Sequence, residues 1–153
     1  MLFELGLTAI PLAAACVFLY AAWVDARTME IPDRCHVILL GLSCIQMGFG
    51  AETPFGLRCA GLFAIAAPMV LANLVRRESF GGGDIKLCGA AGFFLGAPTA
   101  AAGVLLALLL AGFYGSVALM LKVKKAKDSF PLGPFLSVGF ISVMIYGFLE
   151  TAS

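Results

Sequence analysis

The sequence predicts an all-α, polytopic membrane protein with six transmembrane helices. Three observations carry that expectation. Of 153 residues, 61% are hydrophobic and 12% are charged, and the mean hydropathy is +1.02. That charged share is about half of what a soluble domain carries, and one water-facing core cannot hide so much apolar surface. Apolar stretches recur at 5–24, 36–50, 58–75, 86–97, 100–121 and 135–150, with short polar punctuation between them. The third observation is that the basic residues sit almost entirely in alternate connections.

The first stretch, 5–24, closes on Tyr20 and Trp23, an aromatic pair suited to a membrane–water interface. Ala13-Ala14-Ala15-Cys16 loosely resembles a lipoprotein cleavage site. The early charge is Glu4, however, and the first basic residue is Arg27, so the basic n-region of a secretory signal is missing and the stretch reads as a helix. The second, fourth and sixth stretches fall short of the ~20 residues that cross hydrocarbon. The fourth holds Gly89, Gly92 and Gly96 and is expected inside the bundle, where small residues let helix backbones approach. No stretch shows the period-two alternation of a membrane barrel.

Six spans leave the connections 25–35, 76–85 and 122–134 on one side. Arg27, Arg34, Arg76, Arg77, Lys86, Lys122, Lys124, Lys125 and Lys127 lie in or beside them, and Arg58 alone lies at the other face. The positive-inside rule makes the basic face cytoplasmic and puts both termini outside. The lysines at 122–127 are read as this topological determinant, compatible with anionic lipid headgroups. No repeat, linker or low-complexity segment divides the chain, so 1–153 reads as one domain. A net charge of +1 gives no reason to expect a nucleic-acid partner. The five cysteines are odd in number and form no CxxC pair, so they read as apolar packing residues rather than a zinc or disulfide framework. His36 beside Asp33 and Cys35 is too small a cluster for a metal, and no cofactor is expected.

Two aspartates carry the candidate chemistry. Asp25 ends the first stretch, and Asp84 follows Gly81, Gly82 and Gly83 just before the fourth. Alone, each reads equally well as an interfacial anchor: Asp84 as a cap of the fourth helix, Asp25 as a partner of Arg27. Together, at one membrane face and one depth, two carboxyl groups that cannot both ionise easily share a proton. Such a pair can activate water and polarise a peptide carbonyl. The glycines add close backbone approach and access to positive φ.

Three segments then resemble the type IV prepilin peptidases and the related archaeal preflagellin peptidases, which are GxGD-type membrane aspartic proteases. They are DARTMEIPD at 25–33, with Asp25, Ile31, Pro32 and Asp33 in place; GGGDIKL at 81–87, with Gly81, Gly83, Asp84, Lys86 and Leu87; and FPLGPFL at 130–136, with Pro131, Gly133 and Pro134. The resemblance runs from Asp25 to Leu136 and implies that Asp25 and Asp84 form a catalytic dyad. It implies a prepilin or pilin-like precursor as substrate, cut after a short basic leader and before its hydrophobic helix. It also implies the bacterial inner membrane as the setting. Larger members carry a cysteine-rich region before the first aspartate together with N-methyltransferase activity. Only 24 residues precede Asp25 here, so the short, tight-adherence form without that activity is expected.

Around the dyad, Pro32 and Pro131 are expected to shape loops. Asp33 is expected to cap the second helix or help position substrate. Lys86 reads equally as a charge that tunes the dyad and as a snorkelling lysine. Glu30, Glu78 and Asp128 read as solvated loop charges or as attractors of a basic leader. Presenilin-like GxGD proteases fit less well, because Val24 precedes Asp25 and no Pro-Ala-Leu occurs. A non-enzymatic alternative is a small transporter or assembly subunit using the two aspartates as an ion site. The pilin and the oligomeric state are not legible.

Overall fold

Each apolar stretch folds into one α-helix in the computed structural model, which describes residues 2–50, 53–75, 80–121 and 130–152. The helices are α1 (Leu2–Thr28), α2 (Asp33–Gly48), α3 (Phe55–Val75), α4 (Gly82–Leu95), α5 (Ala97–Met120) and α6 (Gly133–Ala152). No strand occurs among the described residues. Arg76, Arg77, Glu78, Lys122, Lys124, Lys125, Lys127 and Asp128 lie outside them.

The breaks follow local chemistry. α1 stops where Met29 turns left-handed at φ 55. Pro32 is extended at φ −63 and ψ 137, and α2 starts directly after it. Gly96 joins α4 to α5 at φ 82, a conformation that suits glycine. A Cβ at Gly96 would also lie 2.7 Å from Thr53 Cγ2. Pro98 then occupies the first turn of α5, where no backbone donor is missed.

α4 packs against α2, α3, α5 and α6, while α1 leans on α2 and α6. Small residues make the close crossings possible. Gly92 and Gly61 bring the backbones of α4 and α3 into contact, and Gly89 rests on Leu62 and Ala66. Gly103 of α5 does the same against α6, where an added Cβ would lie 2.9 Å from Phe140. The core around them includes Phe18, Leu39, Leu87, Leu136 and Phe140.

Thr8–Thr28, Phe55–Val75, Ala97–Met120 and Gly133–Glu150 are long and apolar enough to cross a membrane. α2 and α4 have 16 and 14 residues. At 1.5 Å per residue they rise only about 24 and 21 Å, short of a ~30 Å hydrocarbon layer. Among the described residues four helices are thus long and apolar enough to span, and α2 and α4 are shorter than the spans the sequence predicted. For α4 the physical reason is enclosure: residues 87–92 are buried in protein, so lipid thickness does not set its length.

Arg58, expected at the far face, is fully buried. Its Nη1 donates to the Phe93 and Phe94 carbonyls at 3.3 and 3.1 Å, its Nε to Thr53 O at 3.3 Å and its Nη2 to Gln46 Oε1 at 3.1 Å. A cation suits the open carbonyls of a helix C-terminus. One side chain therefore ties the far ends of α2 and α4 to the start of α3.

Candidate active site

Asp25 lies on α1 itself, one turn before the helix ends, rather than in a loop. It is only 4% exposed. Its Oδ2 accepts the Gly133 N–H at 2.8 Å. An added Cβ at Gly133 would lie 2.7–2.9 Å from three atoms of Asp25, so glycine is required there. The expected Arg27 partner is absent from this arrangement: the guanidinium sits 4.4 Å above the Trp23 ring instead. Pro134 follows Gly133 in the first turn of α6.

Asp84 is the third residue of α4, and Gly81, not Asp84, occupies the cap position. Gly82 and Gly83 belong to the first helical turn, and Gly81 has an ordinary φ of −64. The glycines therefore do not use the positive φ expected of them. Two of the three serve close approach. A Cβ on Gly83 would lie 3.1 Å from Ile31 Cβ, and one on Gly81 would lie 3.1 Å from Asp84 Oδ2. Gly82 faces open space. Asp84 Oδ1 is buried and has no hydrogen-bond partner among the described residues. Burial first, and the Asp25 carboxyl second, raise the Asp84 pKa to about 6, against an opposing backbone interaction with Gly81.

The backbones of α1 and α4 do not pack against each other. A cavity of about 930 Å³ opens between them, with Asp25 and Asp84 both in its wall. Pro131, Leu132 and Phe130 close one side, and the last turns of α5 form another. A second cavity of about 330 Å³ shares Asp25, Asp84, Met29, Gly81 and Gly82, and adds Glu30, Asp33 and Lys86. The two carboxyl groups thus stand where an apolar cavity and an acidic one meet.

Asp33 does not cap α2, since Pro32 holds the cap position. Its Oδ1 instead pairs with Lys86 Nζ at 2.7 Å, joining α2 to α4. The lysine holds the Asp33 carboxyl below its usual range. Lys86 is thereby bound to Asp33 rather than aimed at Asp84. His36 Nε2 meets the Gly83 carbonyl at 3.2 Å; a carbonyl only accepts, so that nitrogen carries the hydrogen. Among the described residues no group of three or more His, Cys, Asp or Glu is gathered to hold a metal.

Asn73 is the residue that sequence reading missed. Its Nδ2 donates to Phe80 O and its Oδ1 accepts from Phe80 N, both at 2.8 Å. This clasp fixes the backbone just before Gly81, and Asn73 also lines the larger cavity. The available signal was an amide near the end of an otherwise apolar stretch.

The sequence model of the type IV leader peptidase family matches residues 12–116, which include both aspartates. The chain belongs to the type IV leader peptidase family. It is 27% identical over 135 residues to the prepilin leader peptidase/N-methyltransferase of Bacillus subtilis (strain 168), covering 86% of this chain and 53% of that one. It is 33% identical over 151 residues to the protein of the same name from Burkholderia pseudomallei (strain K96243), covering 93% and 47%. With the protein of that name from Aeromonas salmonicida, it shares 26% identity over 138 residues, covering 86% and 47%. The chain spans about half the length of these curated relatives. No solved structure matches it. The family match ends before the segment at 130–136, so the Gly133 contact to Asp25 stands on the structure alone.

Proposed function

We propose that this family member is an aspartic endopeptidase that removes the basic leader from type IV pilin-like precursors at the cytoplasmic face of a bacterial inner membrane. The observation that carries this reading is the pair of carboxyl groups across one cavity, Asp25 nearly fully buried and Asp84 raised to about 6. The resting pair shares one proton. The Gly133 N–H leaves Asp25 Oδ2 as an acceptor. In the reaction one carboxylate takes a proton from water, and the water oxygen bonds to the scissile carbonyl carbon. The protonated partner donates to the carbonyl oxygen. Collapse of that adduct breaks the C–N bond: the proton taken from water passes to the leaving amine, and a hydroxyl proton of the adduct returns to the carboxylate that had donated to the carbonyl oxygen. Of the two activities in the relatives' names, only leader cleavage is assigned to these residues.

The membrane-face assignment is supported by Arg27, Arg34 and Lys86 at the site end. The six-crossing topology is supported by Arg58, because α2 and α4 both run from the site to that far tie. The acidic cavity with Glu30 suits a basic leader.

The test is cleavage of a precursor with a basic leader and an apolar helix, in membranes. Wild type is expected to cut it. Asp25→Asn and Asp84→Asn are each expected to lose at least ~10³-fold, since the carboxyls act as a unit. Glu30→Lys is expected to raise KM for basic leaders only. Activity surviving in either Asn variant overturns the dyad. A folded wild type that cuts no precursor, yet binds cations through both aspartates, favours the ion-site alternative.

A further inference from the structure

The larger cavity extends well beyond the two carboxyl groups. Its α5 wall runs from Leu108 to Leu119, a rise of about 16 Å along the helix. Ala111, Gly112, Gly115 and Ser116 form the floor, and the two leucines flank it. Ala111 and Gly115, like Gly112 and Ser116, stand four residues apart, the spacing that lets a second helix approach a helix backbone closely.

The glycines separate this face from ordinary packing. Gly103, earlier on α5, is explained by Phe140 and Gly139 of α6. Among the described residues, a Cβ on Gly112 or Gly115 would meet nothing within 4 Å. Glycine lowers helix stability relative to alanine, so contacts among the described residues give no reason for two of them here. The Ser116 hydroxyl donates back to Gly112 O at 2.7 Å, which leaves the floor without a free donor. At one end the floor meets Asp25 and the buried, unpartnered Asp84 Oδ1.

We infer that the Gly112–Gly115 face of α5 is the subsite for the apolar helix of the substrate on the C-terminal side of the scissile bond, and that residue size at 112 and 115 sets which helices fit. The inference rests on the peptidase reading above and deepens it. An apolar helix suits the floor because the wall is apolar, the small residues have helix-pairing spacing and the trench leads to the carboxyl pair. A lipid chain needs no such close backbone approach. The chain leaves the floor extended near Gly81, crosses the carboxyls and enters the acidic cavity.

The experiment compares wild type, Gly112→Leu, Gly115→Leu and the milder Gly115→Ala on two substrates. One is a precursor with a basic leader and an apolar helix of about 20 residues. The other is a short peptide across the same bond without that helix. The leucine variants are expected to raise KM for the precursor about tenfold or more, with kcat within about threefold and the short peptide unaffected. Unchanged precursor KM, or an equal loss on both substrates, overturns the inference while leaving the peptidase reading intact. A photo-crosslinking residue at 112, in an Asp84→Asn background, is expected to capture the precursor through its apolar helix. Capture of lipid alone, or of the leader, overturns it. Failure of wild type to cut any precursor removes the reading and the subsite together.

Discussion

Gly133 is defined by what it lacks. Its N–H holds Asp25 Oδ2 at 2.8 Å, and its missing side chain leaves room for the same carboxyl. Gly133→Ala must push Asp25 aside, because the Cβ would contact its Cβ, Cγ and Oδ2. The expected outcome is a loss of cleavage of about 100-fold, since a displacement near 1 Å costs that much. A thermal melt should show the fold retained. Burial first, and the Asp25 charge second, raise the pKa of Asp84. Its folded pKa of about 6 exceeds the ordinary 3.8, so ionisation opposes folding. Its contribution to stability is complete below the ordinary value and lost as pH rises through about 6. Asp84→Asn should therefore melt higher than wild type at pH 8, the difference vanishing near pH 4. The alkaline limb of kcat/KM in wild type should fall with an apparent pKa near 6, reported by the pair rather than one residue.

At the scale of elements, two polar side chains inside apolar helices hold α4 by its ends. Asn73 clasps Phe80 just before the helix, and Arg58 takes the carbonyls of its last turn. Without Arg58, the Phe93 and Phe94 carbonyls and Gln46 Oε1 lose the guanidinium as donor. Arg58→Met should destabilise the fold by about 2–4 kcal/mol, because buried acceptors left unpaired are costly. Arg58→Lys should recover only part of this, since an ammonium cannot spread over the same fork of acceptors. Denaturation in detergent measures both. The Asp33–Lys86 pair, by contrast, is exposed, and solvent screening leaves such a pair little weight in stability.

Across the whole molecule, the helices run alternately between a site end and an Arg58 end. Asp25, Pro32, Gly81, Leu119 and Gly133 mark the first, and Gln46, Arg58, Phe93 and Gly96 the second. In the proposed six-crossing topology the site end faces the cytoplasm and the termini lie opposite. Gly82 is exposed with open space at its Cβ, so Gly82→Cys should fold. In right-side-out cells that thiol should resist a membrane-impermeant maleimide, and in inverted vesicles it should react. Labelling from outside the cell would reverse the topology.

By itself the sequence determined the all-helical class, the six helices seen among the described residues and the choice of two candidate aspartates, because these depend on local composition and short spacing. Asp25 and Asp84 were legible because carboxylates beside apolar runs are conspicuous. Which residues meet across the bundle was decided by tertiary structure alone. Asp33 resembles a cap in sequence, yet pairs with Lys86 fifty-three residues away. Gly81–Gly83 read as a flexible loop, yet they open a helix and make room for Ile31 and Asp84. Arg58 read as a surface cation, yet it is the buried tie of three helices. The length of α4 follows the same logic, because protein rather than lipid surrounds it. Periodicity and charge are properties of neighbours along the chain, whereas a missing Cβ or a shared carbonyl acquires meaning only from what the fold brings against it.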